Sequence, residues 1–292
     1  MLTCPVCGAM LAADDHATLR CPLGHAFDRA REGYVNLLAA TPGVGDTAVM
    51  VRARRAFLER GYYAPLADAL NEMALGALAG PGSRVGTPEL GDAGGPDARA
   101  ILDAGCGEGY YIGRLHDALA GELTERAHRC FGLDISRAAI RLAARRHREV
   151  MFVVADVWHG LPFASGSLHL LLDVFAPRNP GEFARVLALG GVLLVAIPGP
   201  AHLAELRDRL GLIGIEADKR EHVVAQLAGP FALAETRGVE YALRLDGPDL
   251  QALATMTPSY WHLAAERREA IGALGPTKVT VSFMVLAFHR QR

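Results

Sequence analysis

No apolar run in this 292-residue chain approaches the roughly 20 residues that span a bilayer. The opening residues Met1-Leu2-Thr3-Cys4 hold no basic stretch leading into an apolar one, so no secretory signal is read there. The expected place is therefore the cytoplasm, where thiols stay reduced. Five cysteines, an odd number, then suit metal ligands or free thiols better than a disulfide framework. An excess of either charge is also missing: 30 basic residues face 32 acidic ones, for a net charge of −2. That excludes a protein holding nucleic acid by bulk charge, and leaves a nucleic-acid partner only through a local basic patch. Lysine is almost absent, with Lys219 and Lys278 standing alone among arginines, a bias that goes with the abundance of Ala, Arg, Gly and Leu and carries little functional information. Disorder is excluded in turn, because a chain that is 51% hydrophobic can offset the entropy of ordering.

Four segments follow. Residues 1–38 hold three of the five cysteines. Residues 39–78 form a connector whose Met50, Ala53, Phe57, Leu58, Leu66, Leu70 and Met73 make a helical stripe, broken at Gly61 and Pro65. Residues 79–98 have the Gly/Pro composition of a linker. From residue 99 to 292, short apolar runs alternate with helical patterns, as βαβ units require. The predicted strands are Ala100–Asp103, Cys130–Asp134, Val150–Ala155, Leu168–Val174 and Val192–Ile197, with a terminal apolar run at Val279–Phe288.

Cys4-Pro5-Val6-Cys7 is followed after thirteen residues by Cys21-Pro22-Leu23-Gly24-His25. Two pairs of ligands on short turns can close a tetrahedral shell around zinc, and three thiolates with one imidazole leave no open position, so such a metal is structural. Four reduced residues binding nothing is the alternative; a segment with so little core of its own favours the metal. Cys106 and Cys130 read as buried thiols.

The predicted strand at Ile101-Leu102-Asp103 runs into Ala104-Gly105-Cys106-Gly107-Glu108-Gly109. Glycines after a parallel strand let backbone amides approach a nucleotide. Here the spacing is Gly-x-Gly-x-Gly, preceded by an aspartate that can meet an ammonium group. Asp134 ends the second strand, where a carboxylate accepts from ribose hydroxyls, and Asp156 follows the third, where it can accept from the adenine amino group. Each acid alone is commonly a helix cap or a solvated loop residue; together they are more specific than the glycines.

This set resembles that of class I S-adenosylmethionine-dependent methyltransferases, which implies an α/β Rossmann-like fold with a seven-stranded sheet, here carrying a small N-terminal zinc ribbon. A closer resemblance spans nearly the whole chain. The residues Cys4-x-x-Cys7, Cys21-x-x-x-His25, Phe27-Asp28, Glu32-Gly33-Tyr34-Val35-Asn36-Leu37-Leu38, Gly45-Asp46, Ala53-Arg54, Gly61-x-Tyr63-x-Pro65-Leu66 and the glycine turn with Tyr110-Tyr111 are similar to the zinc-bearing 23S rRNA guanine-N1 methyltransferases. The stretches Ala155-Asp156-Val157-Trp158 and Val174-Phe175-Ala176-Pro177-Arg178-Asn179-Pro180 look more like the tylosin-resistance (type II) branch. The resemblance implies zinc at Cys4, Cys7, Cys21 and His25. It also implies S-adenosylmethionine contacts from Tyr63, from Gly109, Tyr110, Tyr111 and Ile112, and from His202, besides the Asp103, Gly105, Gly107, Asp134 and Asp156 set. A homodimer and a hairpin 35 loop of 23S rRNA as partner are implied as well, with no membrane role. Read without the family, Tyr63 is a packing aromatic and His202 a helix-start residue.

Guanine N1 is protonated near neutral pH, so proton removal needs a base or a polarising group. Asp173 is the nearest candidate in sequence, with Asp28 and Asp46 as alternatives. Phe175 is expected to stack on an extruded guanine. Arg52, Arg54 and Arg55, and the run Arg137, Arg141, Arg145, Arg146 and Arg148, are candidate phosphate contacts or solvated helix faces. The competing functions are a small-molecule methyltransferase with an accessory ribbon and a non-catalytic zinc-ribbon RNA-binding protein.

Overall fold

The computed structural model describes residues 1–14, 18–38, 45–79, 98–122, 127–210, 218–261 and 263–291. The linker segment 79–98 lies, but for its ends, outside them. The ribbon comes first: β1 (Ala12–Ala13), β2 (Thr18–Arg20) and β3 (Ala26–Asp28) form a three-stranded antiparallel sheet below the two cysteine turns. β4 (Val35–Asn36) then leaves the ribbon and pairs in parallel with a strand of the main sheet. Two helices follow, α1 (Ala48–Glu59), capped by the Thr47 hydroxyl on the Met50 amide, and α2 (Ala64–Ala79). The chain breaks between them at Gly61, and Pro65 sits in the first turn of α2, where its missing N–H costs nothing.

The alternating units begin at β5 (Arg99–Ala104), α3 (Tyr110–Glu122), β6 (His128–Asp134), α4 (Arg137–Arg146) and β7 (Met151–Val154). They continue through β8 (Leu168–Val174), α5 (Pro180–Val186), β9 (Leu187–Pro198), α6 (Ala204–Leu210) and α7 (Lys219–Leu227). The chain ends with β10 (Phe231–Leu245), α8 (Gly247–Thr255), α9 (Pro258–Trp261), α10 (Ala265–Gly272) and β11 (Thr277–Arg290). The sheet order is β10-β11-β9-β8-β5-β6-β7-β4, with β11 antiparallel to both neighbours and the other pairs parallel. The seven strands expected of a class I methyltransferase are present, and β4 adds an eighth at the edge.

β5 and β8 are buried at every position, which is why they read as unbroken apolar runs. Successive residues serve opposite faces: Ile101 joins Leu66, Leu70, Ile112, Leu115 and Phe152 on one side, Leu102 joins Leu133, Phe163, Phe183 and Phe288 on the other. Each such side chain stabilises the fold by roughly 1.5–3 kcal/mol. Among the described residues no helix is long and apolar enough to cross a membrane.

The arginine run on α4 has a structural use that its own sequence hides. Glu32, from the ribbon segment, accepts from Arg141 Nε at 2.8 Å and Arg145 Nη2 at 2.9 Å, and Arg137 Nε donates to the Tyr34 hydroxyl at 3.1 Å. Hydrogen bonding from Arg141 is the first of the causes that hold the Glu32 carboxyl down at about 2. Arg146 pairs with Glu59 of α1. The helix carries no acid, but the elements packed beside it supply two. With β4 on β7, and the Thr3 amide donating to the Pro162 carbonyl at 2.9 Å, these bonds fasten the ribbon to the sheet.

Candidate functional site

Ligand atoms of Cys4, Cys7, Cys21 and His25 all lie within 4.8 Å of one another. Cys4 Sγ and Cys21 Sγ are 3.5 and 3.3 Å from His25 Nδ1, and Cys7 Sγ is 3.7 Å from Cys21 Sγ. A zinc tetrahedron with Zn–S bonds of about 2.3 Å has S···S edges of about 3.8 Å, so the four residues already stand at the corners of such a site. Burial opposes ionisation of Cys21, but amides of His25 and Leu23 and the His25 ring outweigh it and bring the thiol down to about 6, which favours the ligating thiolate.

The glycine turn joins β5 to α3. Gly105 has φ +84°, and a Cβ there would lie 2.4 Å from the Cβ of Ala176, in the turn after β8. Gly107 has φ +55°, and a Cβ there would meet Arg54 Nη1 at 3.3 Å. Only glycine satisfies both demands, and the first contact sets the turn directly against the Phe175-Ala176-Pro177 loop. Asp134, at the end of β6, accepts from the Gly107 amide at 2.9 Å and the Ser136 amide at 2.7 Å.

The acids here are buried without full compensation. Both carboxylate oxygens of Asp103 and of Glu108 lack hydrogen-bond partners among the described residues. Burial, reinforced by the Asp134 charge, pushes Asp103 up to about 8 against the pull of the nearby Ile112 amide. Burial also raises Glu108 to about 7 against the pull of Arg54, and raises Asp134 against the amides it accepts from. Arg54, itself paired with Asp46 at 2.5 Å, is the cation facing this group. Unpartnered buried carboxylates fit a ligand bearing ammonium and sulfonium charges, as S-adenosylmethionine does.

The third strand-end acid is placed differently. Asp156 caps a 3-10 turn at Val157–His159, accepting from the Trp158 amide at 2.9 Å and meeting His159 Nδ1 at 2.7 Å. It takes the capping role that the sequence left open, on the same edge of the sheet as Asp103 and Asp134. Tyr110 and Tyr111 bury their hydroxyls without hydrogen-bond partners among the described residues, and the Ile112 side chain packs in the core, leaving only its backbone toward Asp103.

Beyond the Gly105–Ala176 contact opens a cavity of about 570 Å³, lined by Tyr63, Phe175, Ala176, His202 and Phe283 among others. Tyr63 and His202, far apart in sequence, meet here with Oη 3.5 Å from Nε2. His202 Nδ1 accepts from the Ser282 amide at 3.3 Å, so the ring proton sits on Nε2 and points toward Tyr63. Burial, aided by Arg207, lowers His202 to about 4 and keeps it neutral. Phe175 is 44% exposed, its ring centroid 5.2 Å from that of Phe283, and its φ is +58°, a strained value for a bulky residue. Leu203, next to His202, is strained likewise at φ +53°. Hydrogen bonds from the Phe175 amide to the Ala196 carbonyl and from the Leu203 amide to the Thr280 carbonyl fix both turns.

Asp173 is fully buried, does not line the cavity, and is committed to Arg178 Nη1 at 3.3 Å; burial drives its carboxyl well above the usual range. It therefore positions Arg178, which also donates to the Ala176 carbonyl, and is not placed to take a proton from a base in the cavity. Asp28 accepts from the Thr18 hydroxyl within the ribbon, and Asp46 is held by Arg54. Arg52, Arg54 and Arg55 do not form one patch: Arg52 is exposed, Arg55 pairs with Glu59, and Arg54 turns inward to the glycine turn. Phe283 and Ser282 of β11 were missed, since an apolar strand gives no sign of which residue ends at a cavity. Glu108 lies inside the glycine motif, where its position among the glycines does not by itself show that its carboxyl turns inward.

A family model described as "RlmA, N-terminal" matches residues 2–41, and one described as "Methyltransferase domain" matches residues 101–191. The 23S rRNA (guanine(748)-N(1))-methyltransferase of Streptomyces fradiae is 42% identical over 262 residues, covering 89% of this chain and 86% of that one. A Micromonospora griseorubida protein named for 23S rRNA guanine-N(1) methylation is 40% identical over 291 residues, covering 97% and 95%. A Bacillus subtilis protein named in the same way is 29% identical, with 98% and 96% covered. With a ribbon model at one end, a methyltransferase model in the middle and such relatives over nearly its full length, this chain belongs to the zinc-ribbon 23S rRNA (guanine-N1)-methyltransferase family.

Proposed function

We propose that the protein transfers a methyl group from S-adenosylmethionine to N1 of a guanine in the hairpin 35 loop of 23S rRNA, at the 748-type position that confers macrolide (tylosin) resistance. The single observation that carries this reading is the packing of Gly105 against Ala176, which sets a donor turn rich in buried acids directly beside a cavity fronted by a strained, exposed phenylalanine. The 42% identity to the Streptomyces fradiae enzyme supports the position.

Bound S-adenosylmethionine supplies an activated methyl group for in-line displacement, and the protein's own task is to position and to exclude water. Asp103 and Glu108 meet its ammonium and sulfonium side, Asp134 its ribose, and Asp156 its adenine edge. Tyr63 and His202 close the site from the cavity side, the neutral His202 offering Nε2–H as a donor. Phe175 stacks on the extruded guanine and the Ala176-Pro177 backbone holds its edge, placing N1 across the Gly105 contact. Among the described residues no carboxylate lines the cavity, whereas Arg54, Arg178, Arg207 and Lys219 do. That potential favours guanine with N1 deprotonated and the charge on O6; the proton passes to bulk solvent as the base enters, before the site closes to water. Cys4, Cys7, Cys21 and His25 hold zinc, which gives the ribbon a fixed shape against the RNA. Residues 1–38, 39–78, 79–98 and 99–292 act as ribbon, connector, linker and methyltransferase unit, in a cytoplasmic homodimer.

The test is to incubate the protein with labelled donor and unmodified 23S rRNA and to map the product. Label at N1 of a guanine in hairpin 35 is the expected result; label elsewhere, or none, overturns the assignment.

A further inference from the structure

The four cations of the cavity are not equivalent. Arg54 is offset by Asp46 at 2.5 Å, and Arg178 has its donors taken up by Asp173 at 3.3 Å, the Ala176 carbonyl at 3.3 Å and Gln226 at 3.0 Å. The first adds little net charge and the second is held in place by the protein. Arg207 spends one nitrogen on the Pro200 carbonyl at 2.8 Å, and among the described residues neither it nor Lys219 faces a carboxylate. Lys219, at the start of α7, and Arg207 are both half-exposed, so both stand on the solvent side of the site whose inner wall is Tyr63, His202 and Phe283. Two uncompensated positive charges beside a strained aromatic are the complement of one nucleotide with a phosphate on each side.

We propose that Arg207 and Lys219 form a phosphate clamp that grips the RNA backbone flanking the extruded guanine, while Phe175 takes the base. The inference rests on the reading of this cavity as the guanine site, and it moves the backbone contact away from Arg52, Arg54 and Arg55. The guanidinium fork suits one phosphate at close range, and the longer-reaching ammonium suits its neighbour. An interaction of this kind leaves a defined mark. Releasing counterions from single-stranded RNA contributes about 0.7 to the slope of log affinity against log salt for each phosphate neutralised.

The probe is an unmodified RNA hairpin with the hairpin 35 sequence, its binding to the full-length protein followed by fluorescence anisotropy from about 50 to about 300 mM salt. Lys219→Ala is expected to flatten the salt slope by about 0.7 and to weaken binding several-fold at the low-salt end, and Lys219→Arg to restore the slope. Adding Arg207→Gln, which keeps a donor for the Pro200 carbonyl, should flatten the slope by a similar further amount. Donor affinity measured by calorimetry at the wild-type value shows that the folded site is intact in each variant. A wild-type salt slope in Lys219→Ala and in the double variant overturns the clamp. If the wild type binds the hairpin without methylating guanine N1, the functional reading fails while the slope still scores the clamp. If methylation maps as expected and the slopes do not change, the clamp alone fails.

Discussion

The buried acids of the donor turn make donor binding a proton-linked event, and the sign follows from their positions. In the free protein Asp103 is held up to about 8 and Glu108 to about 7, each chiefly by burial. A raised carboxyl is protonated at neutral pH, but the cationic donor is attracted only to the ionised form. Binding must therefore expel the proton, and affinity rises with pH until the free protein has lost it. Below pH 7 both groups contribute, above it Asp103 alone, and above pH 8 the dependence levels off. For Asp103 alone, pH 6 lies two pH units below its own titration, a cost of nearly 3 kcal/mol or ~100-fold in affinity, at about 1.4 kcal/mol per unit. The same shift has the opposite sense for the free fold. Ionisation of a carboxyl raised above its unfolded value costs stability, which is full at low pH and is lost as pH rises through about 8, and donor restores it. Calorimetry at pH 6, 7 and 8, in buffers of different ionisation enthalpy, reads both the affinity and the protons released. Asp103→Asn should weaken binding at pH 8 and remove most of the pH dependence above pH 7. Affinity independent of pH in the wild type, with no proton release, would refute the argument that these carboxyls meet the donor's positive charge.

Three further outcomes follow from the geometry. Stripping the metal with a chelator should abolish hydrogen-exchange protection in the ribbon while donor affinity stays within about twofold, because zinc-site energies of ~10–16 kcal/mol replace a core this segment lacks; a ribbon still protected without metal would contradict the structural role. Phe175→Gly should raise thermal stability by about 1 kcal/mol through relief of left-handed strain, yet slow single-turnover methylation by ~10–100-fold through loss of stacking worth 1–3 kcal/mol. An unchanged rate would sink the stacking role. Gly105→Ala should destabilise by roughly 2–5 kcal/mol and displace the acceptor turn. Adding Ala176→Gly should return part of that loss, and strict additivity of the two in thermal melts would show that the turns do not touch as described.

How much of this was legible in the sequence depends on how each element is buried. β5 to β9 lie inside the sheet, covered on both faces, and such strands announce themselves as apolar runs closed by Asp103 or Asp134. β10 is an edge strand. Its Val239, Tyr241, Leu243 and Leu245 alternate with Glu240 and Arg244, a period-two pattern that was available but weaker than the runs around it. β4 contributes only two residues, too few for any pattern. The divergence of Arg52 and Arg54 is legible in the sequence: residues two apart on a helix point about 200° apart, so Arg54 faces away from Arg52. By contrast, nothing local to α4 could show that its arginines meet Glu32 and Glu59, since those acids arrive from other parts of the fold.

The division of charge across the Gly105–Ala176 contact also bears on turnover. On one side lie Asp103, Glu108 and Asp134 with one arginine facing them, on the other a cavity with cations and no acid among the described residues. The proposed reaction consumes a positive charge on the acidic side and a negative charge on the basic side, yielding a neutral thioether and a neutral methylated base. Each half of the site thus loses part of its attraction at the moment of transfer, and both products are held less tightly than the reactants that gave rise to them. A chain with nearly balanced totals achieves this only by keeping the two signs apart, and the glycine at position 105 lets the two fields lie one side chain's thickness from each other.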